Sequence, residues 1–197
     1  PLNTRAAWRD LFVVEGAQGV RGVLVGGERA LIANQGDGWR DASAHPARSL
    51  HDAVLLSSGV ALAVGDDGLL ARIYGQKVTG IPNDISEDLA GLTLSSDGLF
   101  LWSGGQGALL RFDLGTNVWE RIELPSSRRV RALAGSVFAG EGGLLGRLDL
   151  GDEPRLLGTA TATSWFAAAA ELRSDGTPEG DETVWVVGEG GEVLRVR

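Results

Sequence analysis

One short phrase returns along the chain about every 40 residues and limits the possible folds more than any other feature. The phrase is an apolar run that ends in glycine, a turn, and a second apolar run, as in AVGDDGLLAR at 63–72 and FAGEGGLLGR at 138–147. The glycines that end the first run, called anchor glycines below, are Gly26, Gly65, Gly104, Gly140 and Gly188. A chain of 197 residues with five copies of one phrase is predicted to be built from one repeated element.

Each copy has the pattern of short strands joined by turns. In four copies a second glycine lies three positions after the anchor glycine, and the first copy has Arg29 there. Glycine adopts positive φ at little cost, so G-x-x-G between two apolar runs predicts a tight hairpin turn. A further apolar run precedes each copy and a polar run follows several of them, which gives up to four strands per unit. We therefore predict an all-β fold, a five-bladed β-propeller built from repeats of about 40 residues.

The repeat also predicts how the chain is divided. We expect a single propeller domain over 1–197, with approximate blades at 8–46, 50–82, 89–125, 130–159 and 165–197. The last unit ends at its third strand, and residues 1–6 are a candidate for its fourth strand. A three-stranded last blade and a chain that lacks residues are the alternatives. The alanine-rich stretch at 164–174 is compatible with a helix, but its place in the repeat favours a strand.

The composition of the chain limits the kinds of partner that it can bind. The net charge of −8 argues against nucleic acid, which needs a basic face, and against an anionic membrane surface. No apolar run approaches the roughly 20 residues of a membrane helix. The absence of cysteine excludes disulfides and thiolate metal sites. Methionine is also absent, which is typical of a processed chain or a piece of a longer one, so localisation is left open, with an extracytoplasmic protein after signal removal favoured. We expect a monomer.

Two stretches resemble a known class of repeat. LVGGERALIANQGDGWRDA at 24–42 and LHDAVLLSSGVALAVGDDGLLAR at 50–72 resemble BNR/Asp-box-type bacterial β-propellers, and most of all the repeat family of the photosystem II assembly factor. RFDLGTNVWERIELP at 111–125 is similar to kelch repeats. A complete S-x-D-x-G-x-T-W corner does not occur, and Asp37 with Trp39 is the nearest approach. The resemblance implies a propeller fold, and it does not carry over a role in photosystem assembly.

Candidate binding residues lie at the starts of the first strands of the repeats, which in a propeller surround the mouth of the central channel. They are Arg9, Asp10, His51, Asp52, Asp88, Arg129, Arg131, Trp165 and Phe166. These residues fit a sugar or small polar ligand stacked on Trp165, or a cation between aspartates. They also fit catalysis by two carboxylates. The remaining interpretation is a solvated funnel in which opposite charges pair.

Four arginines occur seven residues after an anchor glycine, at Arg72, Arg111, Arg147 and Arg195. A row of guanidinium groups can bind phosphates or carboxylates. Because a binding site rarely needs four copies of one residue, we interpret these arginines as structural.

The sequence contains no specific catalytic signature. Its glycine-rich turns join two strands, so they lack the helix N-terminus of a phosphate-binding loop. We therefore expect a non-catalytic binding module or scaffold without cofactor or metal, whose partner is a protein or a small polar or sugar ligand. The main alternative is a glycan-directed protein, either a lectin-like binder or a glycoside hydrolase that uses Asp10, Asp52 and Asp88. A repeat scaffold that was excised or engineered is a further alternative.

Overall fold

A computed structural model of the chain describes residues 9–16, 19–27, 29–33, 39–42, 48–56, 58–75, 77–148, 154–157, 163–170 and 183–197. Within these ranges the structure consists of antiparallel strands and three short 3₁₀ turns, which confirms the all-β prediction. None of the helical segments described is long and apolar enough to cross a membrane. The chain divides into two compact units, residues 1–89 and 90–197.

The first unit contains two four-stranded antiparallel sheets, each with its strands in sequence order. The first sheet is β1 (Asp10–Gly16), β2 (Gly19–Gly26), β3 (Arg29–Ala33) and β4 (Trp39–Ala42). The second is β5 (Leu50–Leu55), β6 (Ala61–Gly65), β7 (Leu70–Tyr74) and β8 (Lys77–Ile81). Small and β-branched side chains on the facing strands form their common core, including Val23, Val25, Ala63 and Ile73.

The second unit contains three sheets, again ordered along the sequence. They comprise β9 (Ala90–Leu94), β10 (Phe100–Gly104), β11 (Ala108–Asp113) and β12 (Val118–Glu123), then β13 (Val130–Ala134), β14 (Val137–Gly140), β15 (Leu145–Arg147) and β16 (Arg155–Leu156), and finally β17 (Trp165–Ala170), β18 (Val184–Gly188) and β19 (Val193–Val196). Larger side chains such as Trp102 and Phe138 fill the core between the first two of these sheets. Sheets of four antiparallel strands are the usual construction of propeller blades.

The anchor glycines end the second strand of every sheet, but for a reason other than the one the sequence suggested. Gly65 and Gly140 have extended backbones, with φ of −171° and −173°. A Cβ at Gly65 would lie 1.8 Å from the carbonyl oxygen of Ser49, and one at Gly140 would lie 2.1 Å from that of Arg129. Close approach of a neighbouring backbone therefore requires these glycines, whereas positive φ occurs at the second glycine of the turn, as at Gly68.

Within the described part of the alanine-rich stretch, Trp165–Ala170 form strand β17, as the place of the stretch in the repeat suggests. Ala168 and Ala170 pack against the core of the second unit, and Ala167–Ala170 pair continuously with Val184–Val187 of β18. Tertiary pairing thus outweighs the helix propensity of alanine. Residues 1–6, the candidate fourth strand of the last blade, lie outside the described residues. The single domain and its blade limits stay predictions.

Candidate functional site

An irregularity in the first strand marks the same place in four of the five described sheets. One residue of β5, β9, β13 and β17 has no partner in the neighbouring strand: His51, Gly91, Arg131 and Phe166. In β1 the pairing is regular from Asp10 onward. A bulge of this kind bends the strand and redirects a side chain. Three of the four bulge residues are among the candidate binding residues, so their position is fixed by a feature of the backbone.

Two of the three candidate aspartates converge in the first unit. The Ala53 N–H donates to Oδ1 of Asp52 at 2.7 Å and to Oδ2 of Asp10 at 3.3 Å. Asp10 pairs with Val25 and Asp52 with Val64, so the aspartates hold equivalent positions in adjacent sheets. Both side chains are half-buried. The carboxylates of both residues therefore accept a hydrogen bond from the same backbone N–H, that of Ala53.

The third aspartate has a different role. Asp88 accepts a hydrogen bond at 3.1 Å from the N–H of Asp67, whose φ of 51° places it in the left-handed region of the turn after β6.

The candidate Arg9 precedes Asp10 and is exposed, and its backbone N–H donates to the carbonyl oxygen of Val25 at 2.9 Å. Among the residues described, no three His, Cys, Asp or Glu side chains are grouped closely enough to hold a metal ion.

His51 is held by two acceptors. Its Nδ1 lies 3.0 Å from the carbonyl oxygen of Leu89, and its Nε2 lies 2.8 Å from Oδ1 of Asp66. The other oxygen of Asp66 accepts the Ser49 N–H at 3.2 Å. Burial raises the pKa of Asp66, but the Ser49 N–H and the charge of His51 outweigh it, so the pKa lies below its ordinary value. The bulge residue is therefore tied to the turn after β6.

The second unit repeats this arrangement with different residues. Nε and Nη2 of Arg131 lie 3.1 and 2.6 Å from Oε1 of Glu141, and the Glu141 N–H donates to the carbonyl of Arg129 at 3.0 Å. The hydrogen bond from Arg131 lowers the pKa of Glu141. Glu141 and Asp66 each directly follow an anchor glycine. Sequence reasoning missed both, although an acid at this position in three copies (Asp66, Glu141 and Glu189) was a visible signal.

The two candidate aromatic residues face opposite sides of β17. Trp165 is 2% exposed and packs with Val184 and Val186, whereas Phe166, the bulge residue, is 51% exposed. A buried ring offers no face to a sugar, so the stacking role considered for Trp165 does not fit its position. Phe166 is the aromatic side chain available to a partner at this strand.

A cavity of about 230 Å³ opens in the first unit, beside the turn whose Asp67 N–H donates to Asp88. It is lined by Arg48, Asp67, Gly68, Leu69, Leu70, Gly80, Ile81, Pro82, Asn83 and Ile85. Asn83 spans it with internal hydrogen bonds: its amide donates to the carbonyls of Gly68 at 3.0 Å and Ile81 at 3.2 Å. These hydrogen bonds of Asn83 hold the turn at Gly68 close to the end of β8.

Three solved structures share the fold over nearly the whole chain. YCF48 bound to D1 peptide is 17% identical with a TM-score of 0.61, over 98% of this chain and 78% of that one. Hydrazine synthase from Kuenenia stuttgartiensis is 13% identical with a TM-score of 0.63, over 100% and 69%. The extracellular domain of a hybrid two-component system from B. thetaiotaomicron is 13% identical with a TM-score of 0.63, over 91% and 26%.

No family model and no curated protein matches the chain. The likeness to YCF48 confirms the predicted resemblance to a β-propeller of the photosystem II assembly factor type. At this level of identity the likeness concerns the fold alone.

Proposed function

We propose that the chain is a non-catalytic binding module whose partner is a protein, and that its five sheets are the five blades of one propeller. The recurrent bulge at the start of the first strand is the observation that carries the proposal. It sets His51, Arg131 and Phe166 at one equivalent position in their sheets, and a bulge redirects the side chain of its extra residue. Asp66 and Glu141 hold the first two side chains, whereas Phe166 is 51% exposed and supports contact with a partner. The structure of YCF48 with a bound D1 peptide supports a peptide-bearing partner for this fold.

The first unit indicates the chemistry of that partner. Asp10 and Asp52 share the Ala53 N–H, and the chain carries a net charge of −8. A basic segment, with lysine or arginine side chains, complements two carboxylates at one place and is attracted by the field of the whole chain. We propose that Asp10 and Asp52 contact such a segment.

Selection from a displayed library of random peptides tests this proposal. We expect the chain to enrich basic peptides whose binding weakens about tenfold when Asp10→Asn and Asp52→Asn are combined. Asp84→Asn is the matched control, because Asp84 is an exposed aspartate of the same unit. Enriched peptides that bind the double variant as well as the unchanged chain would contradict the proposed site.

A glycan-directed function is the second candidate, and the convergence of Asp10 and Asp52 is the observation that favours it. Retaining glycosidases act through two carboxyl groups about 5 to 5.5 Å apart. A glycan array and a hydrolysis screen with chromogenic glycosides distinguish the two functions. Glycan binding or turnover that is lost in Asp52→Asn would replace the protein-binding proposal.

Two further properties are proposed with the function. We propose that the chain is a monomer, which sedimentation equilibrium tests. We also propose an extracytoplasmic location, supported by the extracellular domain among the similar structures, which fractionation of the source cell tests.

A further inference from the structure

The cavity of about 230 Å³ in the first unit arises from a difference between the second and third sheets. In the third sheet the backbone N–H of Leu124 donates to the carbonyl oxygen of Gly107 at 2.9 Å, which holds the chain after β12 against the turn. In the second sheet the equivalent carbonyl, that of Gly68, accepts instead from the side-chain amide of Asn83 at 3.0 Å. The backbone after β8 therefore lies farther from the turn by the length of a side chain, and the cavity lies beside this contact.

The strand pairing establishes that the two contacts are equivalent. Ile81 of β8 pairs with Leu70 of β7, and Ile122 of β12 pairs with Leu109 of β11. In each sheet the residue that bonds the turn lies two positions after the isoleucine, and the carbonyl that it bonds lies two positions before the leucine. The cavity is thus a consequence of asparagine at one position of the repeat.

Internal hydrogen bonds fix the walls of the cavity. Nδ2 of Asn83 donates to the carbonyl oxygens of Gly68 and Ile81, at 3.0 and 3.2 Å. Its Oδ1 accepts the Ile85 N–H at 3.0 Å. The Gly68 N–H donates to the carbonyl oxygen of Glu87 at 2.7 Å. Because these walls are ordered in advance, a ligand pays little conformational entropy to bind between them.

Two side chains of opposite charge line the cavity, the half-buried Arg48 and the exposed Asp67. Nη1 of Arg48 donates to the carbonyl oxygen of Asp67 at 3.4 Å, a long bond that leaves most donors of the guanidinium unused. Within the described ranges, Arg48 forms no ion pair and the Asp67 carboxylate accepts no hydrogen bond. The cavity therefore offers one positive and one negative group to a ligand.

Much of the remaining lining is aliphatic. Leu69 and Leu70 are buried, and Ile81 and Ile85 are half-buried. The volume lies below the range of about 300 to 1,000 Å³ that is typical of pockets for drug-sized ligands. A cavity of this size and lining fits a small molecule that carries both charges and a short aliphatic group.

We propose that the cavity binds a free α-amino acid with a small aliphatic side chain, such as valine. The guanidinium of Arg48 binds the α-carboxylate through charge-assisted hydrogen bonds, and the Asp67 carboxylate binds the α-ammonium group. The aliphatic lining contacts the side chain. Each terminus of a protein chain carries only one of these two charges, so the combination of Arg48 and Asp67 favours the free amino acid over a peptide.

Titration of the unchanged chain with L-valine, followed by NMR of the backbone amides, tests the proposal. We expect saturable shifts that include the amides of Gly68, Gly80 and Ile85, which line the cavity. Isovalerate lacks the ammonium group of valine and isobutylamine lacks its carboxylate, so we expect each to bind about tenfold more weakly. This comparison of three probes requires no substitution, so it does not depend on the folding of a variant.

Two substitutions assign the charges to their residues. We expect Arg48→Gln and Asp67→Asn each to weaken the binding of L-valine about tenfold, while Arg48→Gln leaves isobutylamine and Asp67→Asn leaves isovalerate unaffected. Asparagine tolerates the φ of 51° at position 67, so the turn is retained. Arg128→Gln is the matched control, because Arg128 lies over the equivalent turn of the fourth sheet, 3.1 Å from a Cβ placed on Gly142.

Four outcomes would overturn the proposal. These are no saturable shifts with L-valine, shifts confined to amides away from the cavity, isovalerate binding as tightly as L-valine, or the same loss in Arg128→Gln as in Arg48→Gln. Asp10→Asn combined with Asp52→Asn should leave the binding of L-valine unchanged, since neither aspartate lines the cavity. The test of the cavity is therefore separate from the test of the proposed function.

Discussion

Nε2 of His51 lies 2.8 Å from Oδ1 of Asp66, so the extra residue of β5 is held by the acid that follows the anchor glycine of β6. Arg131 and Glu141 form the corresponding pair between β13 and the turn after β14. The same link is thus built once from a histidine and an aspartate and once from an arginine and a glutamate. This repetition indicates that the pair fixes the bulge in β5 and in β13. The pair has this role independently of any partner that the neighbouring side chains bind.

Replacing the acid of this pair should loosen the bulge. Asp66→Ala removes the acceptor of both His51 and the Ser49 N–H, and we expect the free energy of unfolding to fall by about 1 kcal/mol. The value is modest because the Asp66 side chain is partly solvated and water screens its charge. Urea unfolding at neutral pH measures it, with Asp84→Ala as the control. A loss no larger than that of Asp84→Ala would show that the pair is not structural.

Acid should weaken the same links. The pKa values of Asp66 and Glu141 are lowered in the folded chain from ordinary values of 3.8 and 4.5. A lowered folded pKa contributes stability that is complete above the ordinary value and is lost as pH falls through the folded value. We expect the free energy of unfolding to drop below about pH 4.5, and less steeply when Asp66→Asn and Glu141→Gln are combined. Urea titrations between about pH 3 and pH 7 provide the test, and an unchanged slope in the double variant would contradict it.

The repeated phrase is sufficient to predict the strands, because short apolar runs bounded by turn residues are a local signal. Each of the five anchor glycines ends the second strand of a sheet, as expected for a hairpin. The bulges could not be predicted, since one extra residue in a strand depends on tertiary pairing and changes the face on which the side chains lie.

The dependence of the bulges on tertiary pairing explains why the sequence did not predict the positions of the side chains at the candidate site. Trp165 and Phe166 are neighbours of similar character, and the register of β17 alone decides that the first is buried and the second exposed. In the same way, Asp66 is fifteen positions from His51, and only the approach of the turn to the start of β5 makes them partners. The repeated acid after the anchor glycine marks Asp66 in the sequence, but the sequence does not identify His51 as its partner.

The arginine of the third sheet should prove structural. Arg111 lies over Phe100 at 4.8 Å and over Trp102 at 5.6 Å and pairs with Glu120. We expect Arg111→Ala to lower the free energy of unfolding by about 1 to 2 kcal/mol, through both lost packing and lost charge pairing. Since Glu120 is half exposed, a double-mutant cycle with Glu120→Ala should assign about 0.5 kcal/mol to the ion pair. Arg72→Ala is the control, because Arg72 holds the equivalent position in the second sheet, opposite Thr79. An equal loss of stability in Arg72→Ala would mean that the contact of Arg111 with Trp102 adds nothing.

The anchor glycine of the second sheet should tolerate no side chain. A Cβ at Gly65 would lie 1.8 Å from the carbonyl oxygen of Ser49, and this backbone cannot retreat because the Asp66 N–H donates to the same oxygen at 3.0 Å. We expect Gly65→Ala to cost about 3 kcal/mol or more, at the upper end of overpacking effects. Gly115→Ala is the matched control, since its Cβ would meet only the Asp113 side chain, at 3.3 Å. Urea unfolding of both variants decides the matter: similar losses would mean that the close approach at Gly65 does not exist in solution.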